Sequence, residues 1–80
     1  MAMRARDFAD RLREVKAGVQ AGIDDPEVHA SLHRVSELFK RTCSPEAFKQ
    51  MLAEDREVDS GLEEEMTTLW MRFVRRRGVG

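Results

Sequence analysis

Apolar residues recur three and four positions apart along most of this chain. Ala5, Phe8, Leu12, Val15 and Val19 fall on one stripe at about 100° per residue, which predicts a helix near residues 3–21. Val28, Leu32, Val35 and Phe39, with Leu38 at the margin, predict a second helix near 26–42. Phe48, Met51 and Leu52 mark a shorter third helix near 45–56. Leu62, Met66, Leu69 and Phe73, at four-three-four spacing, mark a fourth near 61–77. Strand signals are nearly missing: β-branched residues are isolated, and no segment alternates apolar with polar for more than a few positions.

The polar residues between the stripes supply start and stop signals. Gly18 and Gly22 weaken the end of the first helix. Asp25-Pro26-Glu27 gives a capping acid, a proline at the first helical position and a first-turn carboxylate, and Ser44-Pro45-Glu46 repeats that chemistry with a hydroxyl cap. Glu54 to Asp59 reads as a frayed helix end plus connector, and Ser60-Gly61-Leu62-Glu63 has the form of a capping box. Connectors of a few residues imply antiparallel neighbours, so the expected fold is all-α, a small antiparallel bundle of about four helices in one domain spanning 1–80.

Composition narrows the function. At 41% hydrophobic and 36% charged residues the 80-residue chain is too apolar for a disordered tail, and its formal net charge of -1 gives no global pull toward nucleic acid or an anionic membrane. A chain this short buries a modest share of its surface, which favours self-association and leaves a homodimer open. Cys43 is the single cysteine, which rules out an internal disulfide and suits a reducing compartment, so a cytoplasmic location is expected. The N-terminal stretch holds Asp7 and Asp10 without an apolar leader core, and no run approaches a membrane span, so no membrane association is expected. Eleven arginines against three lysines point to GC-rich coding and a bacterial source.

Candidate chemistry is sparse. His29, His33 and Glu37 follow one another at helical spacing, but Ala30 stands where the metalloprotease pattern needs glutamate, and the histidines are read as flanking the apolar stripe with no metal bound. Ser31 and Ser36 have no glycine-rich elbow to expose them as nucleophiles, and Cys43 is read as a small apolar side chain. No glycine loop suits a phosphate, and Glu63, Glu64 and Glu65 are consecutive, so they fan around the helix as first-turn acids. No catalytic residue and no cofactor is expected.

The ending, Thr67 to Gly80, combines the only tryptophan with an arginine triplet. Arg75, Arg76 and Arg77 are the candidate nucleic-acid contacts, yet three consecutive side chains diverge and Trp70 does not interleave with them as a stacking platform would. They are better read as cations at the negative end of a helix closed by Gly78. Met71 lies opposite the inner stripe, with Val74 partway round toward it. Trp70, Met71, Val74 and Arg75 therefore form the candidate interface, since Met, Trp and Arg are enriched at protein contacts.

These readings lead to a non-enzymatic helical protein–protein interaction or regulatory module, with a protein partner or a second copy. Small-molecule sensing between helices is the second class, with Phe48, Trp70 and Phe73 as candidate pocket lining. Asp25-Pro26-Glu27-Val28 through Leu38-Phe39, followed by Ser44-Pro45-Glu46, faintly resembles the helical antibiotic-binding domains attached to MerR-type regulators, over residues 5–77. That resemblance implies a helical pocket for a small ligand.

Overall fold

In the computed structural model, which describes residues 2–78 with only the backbone at Gly78, four helices follow in order: α1 (Ala5–Gln20), α2 (Pro26–Thr42), α3 (Pro45–Ala53) and α4 (Ser60–Gly78). α2 and α3 begin where the sequence supplies the chemistry for it. Asp25 accepts from the Glu27 amide at 2.9 Å and Ser44 from the Ala47 amide at 3.1 Å, with proline in the first turn of both α2 and α3.

The cap of α4 differs from the expected box. Asp59, one residue earlier, accepts from the Gly61 amide at 2.9 Å, and the Glu63 carboxylate accepts instead from the Met3 amide at 3.2 Å. A carboxylate is the stronger acceptor for an orphan amide, and Glu63 is drawn off by a donor 60 residues away in sequence.

α4 is the central element, packed against α2 and α1, while α3 packs against α1. Leu62, Met66, Leu69 and Phe73 are all buried, as the four-three-four stripe requires, and they meet Ala5, Phe8 and Val15 of α1 and Val28 and Val35 of α2 in one core. The start of α2 faces the end of α4, through Ser31 and Arg72, so these two run antiparallel. α1 and α4 run the same way: Met3 meets Glu63 at their starts, and Gly18 meets Phe73 near their ends. α3 has nine residues and is too short to return along the bundle, so α4 restarts beside the beginning of α1.

Two details lie outside the helical pattern. α1 starts at Ala5 because residues 3–5 pair with residues 56–58 in an antiparallel bridge: the Ala5 amide donates to the Arg56 carbonyl and the Val58 amide to the Met3 carbonyl, each at 2.8 Å. Arg4 and Asp55 form an ion pair beside it. α3 stops at Ala53, short of residue 56, and Asp55 turns the chain with φ of 55°, a left-handed conformation that aspartate tolerates better than most residues. Met3 and Val58 are buried as a result, although Val58 sits in a run of charges. Among the described residues, no helix is long and apolar enough to cross a membrane.

Candidate interaction face

The inner stripe of α4 fixes what its opposite side must show. Met71 is 58% exposed and Val74 43% exposed, and these are the large hydrophobic side chains left exposed among the described residues. Arg75, Thr67, Thr68 and Glu64 are exposed around them. The outward shoulder expected of Met71, Val74 and Arg75 is thus present as a surface.

Trp70 belongs only partly to it. The indole is half-buried against Phe73, with ring centroids 5.6 Å apart, and the Arg11 guanidinium of α1 lies 5.4 Å from its centroid. A cation over an indole face contributes on the order of 0.5–1 kcal/mol at such a partly exposed site. Trp70 therefore joins α4 to α1 and offers one edge to the shoulder.

The arginines at the end of α4 separate. Arg72 turns to α2, donating to the Ser31 hydroxyl at 2.6 Å with Glu27 4.0 Å away. Arg77 turns to α1, 3.6 Å from Glu14 and 5.6 Å from the Phe73 centroid. Arg75 and Arg76 border an open depression shared with Asp25 and Glu27, the acids at the start of α2. The candidate nucleic-acid contacts Arg75, Arg76 and Arg77 do not form one row, and carboxylates lie among them.

The remaining candidates are also placed. His29 and His33 are both exposed, and the His29 Nε2 is 3.2 Å from the Ile23 carbonyl oxygen. No group of three His, Cys, Asp or Glu side chains suited to a metal occurs among the described residues. Cys43 is half-buried, its Sγ donating to the Met51 Sδ at 3.8 Å. Ser31 is buried, and its hydroxyl serves as the acceptor for Arg72.

Phe48, Trp70 and Phe73 do not line one pocket. Phe48 belongs to a trio with Phe8 and Phe39, whose centroids lie 4.9–6.1 Å apart, while Trp70 and Phe73 pair separately. Beside the trio runs an apolar groove of about 280 Å³ lined by Phe8, Ala9, Leu12, Phe39 and Phe48, with Arg13 and Lys16 on its rim. Each of these phenylalanines lies on the apolar stripe of a different helix, Phe8 on α1, Phe39 on α2 and Phe48 on α3. Their convergence depends on α3 crossing the start of α1, which no local spacing encodes.

No protein-family model matches the chain, and no curated protein or solved structure matches it at a significant level.

Proposed function

We propose that this chain is a non-enzymatic helical interaction or regulatory module that contacts protein through the outer face of α4. The observation that carries the reading is the pair Met71 and Val74, adjacent on that face and exposed while the other large apolar residues among those described pack inward or lie half-buried. Methionine and arginine are enriched at protein contacts, and burying the exposed Met71 and Val74 side chains would remove apolar surface from water.

The test compares the wild-type chain with Met71→Asp, using sedimentation equilibrium for self-association and affinity capture for other partners. Met71 is exposed, so the substitution should leave the helical spectrum and melting temperature unchanged while abolishing association. A wild-type chain that is strictly monomeric and captures no protein would overturn the reading.

A second reading, ligand sensing, is favoured by the apolar groove at Phe8, Leu12, Phe39 and Phe48, whose basic rim suits an amphipathic carboxylate. Titration with a medium-chain fatty acid below its micellar concentration should then shift the resonances of these phenylalanines saturably. A linear, unsaturable response would remove this reading.

A further inference from the structure

Resting on the assignment of the outer face of α4 as the contact surface, we infer that its occupant is a second copy of this chain, docked with the two α4 helices antiparallel about a two-fold axis. Glu63, Glu64 and Glu65 stand in the first turns of α4 and Arg72, Arg75, Arg76 and Arg77 in its last. Most of these charges are already engaged or face elsewhere: Glu63 accepts from the Met3 amide, Glu65 borders α2 near His33 and Arg34, Arg72 holds Ser31, and Arg77 reaches Glu14. Arg75 and Arg76 both border the depression that holds Asp25 and Glu27, but Arg76 lies about 140° round the helix from Met71, toward α2, whereas Arg75 lies about 40° from it. Glu64 and Arg75 are exposed, and among the described residues neither enters an internal ion pair.

Those two residues share a row. Eleven positions at about 100° each bring Arg75 to within about 20° of Glu64 around the helix, and separate them by roughly 16 Å along it. Both flank Met71 on the same side. A two-fold axis perpendicular to α4 reverses the helix and sets each flank against the same flank of its mate, so Glu64 of each copy meets Arg75 of the other, twice. The axis then crosses α4 between Leu69 and Trp70, and Met71 lies against Thr68 of the second copy, whose methyl group, with that of Thr67, adds apolar surface. Antiparallel helix dipoles favour the same arrangement. Sliding the helices until Met71 meets Val74 would set Arg75 opposite Trp70 with no acid to face, so charge selects the first register. One helix per copy gives an interface at the small end of the size range, and hence a dissociation constant on the order of micromolar or weaker.

Charge reversal with mixing tests this. By sedimentation equilibrium at low salt, Glu64→Arg and Arg75→Glu should each weaken self-association roughly tenfold, because each sets like charges together at both ends of the interface. An equimolar mixture of the two variants should form a heterodimer as tight as the wild-type homodimer, since its cross pairs are again opposite in charge. Both residues are exposed, so unchanged helical spectra serve as the folding control. If Met71→Asp abolishes self-association but mixing the charge variants rescues nothing, the contact face stands and the antiparallel register is overturned. If the wild-type chain remains monomeric at millimolar concentration while Met71→Asp loses a different captured protein, the second copy is overturned and the face again stands. If Met71→Asp changes no association at all, both readings fall.

Discussion

The Arg72 guanidinium reaches from α4 to the buried hydroxyl of Ser31 on α2, 2.6 Å away, and so supplies the partner that a polar side chain inside the helix interface requires. Arg72 is itself about one-third exposed, with Glu27 at the outer edge of the contact. Truncating either residue should therefore be modest in cost, because water can reach the arginine and the serine hydroxyl can turn back to a carbonyl of its own helix. Ser31→Ala and Arg72→Ala are each expected to destabilise by about 1 kcal/mol. The double variant should lose less than the sum, with a coupling of roughly 0.5–1.5 kcal/mol by urea denaturation. Strict additivity would show that the contact contributes nothing.

Gly18 stands within α1 where a β-carbon would lie 2.5 Å from Phe73 Cε1 and 3.0 Å from Ile23 Cδ1. Gly18→Ala should destabilise the fold, because overpacking of about 1–3 kcal/mol outweighs the helix-propensity gain of about 1 kcal/mol. In a Phe73→Leu background the penalty should shrink or reverse, since the ring edge that fills the space is gone. Thermal melts of the four chains provide the comparison.

Asp59 caps α4 and Ser60 does not. Asp59→Ala should cost about 1 kcal/mol, whereas Ser60→Ala should stay within roughly 0.5 kcal/mol. An equal loss for both, by denaturant midpoint, would return the capping role to Ser60.

The elements that sequence made legible are those governed by local spacing. Leu62, Met66, Leu69 and Phe73 repeat with the helical period, and all four are buried where that period puts them. The same angular reasoning placed Met71 outward. What sequence concealed depends on distant segments: Val58 is core only because the Met3 carbonyl receives its amide, and Gly18 reads as a weak helix former until the Phe73 ring is seen against it. The exposure of Met71 and Val74 was legible for the same reason, while the ties beside them, Arg11 over Trp70 and Arg77 beside Glu14, join side chains about 60 positions apart and leave no periodic trace.

The pairing of residues 3–5 with 56–58 also sets an order of events during folding. Helices and their neighbouring contacts form quickly, but closing a loop that holds three helices requires chain entropy to be lost first. The bridge is thus expected to assemble after the folding transition state, together with the burial of Met3 and Val58. Val58→Ala should then accelerate unfolding and leave the folding rate nearly unchanged in a chevron plot, a low φ-value at one residue of the core. The bridge so acts as a latch on the lifetime of the folded chain, with little influence on how fast that chain is reached.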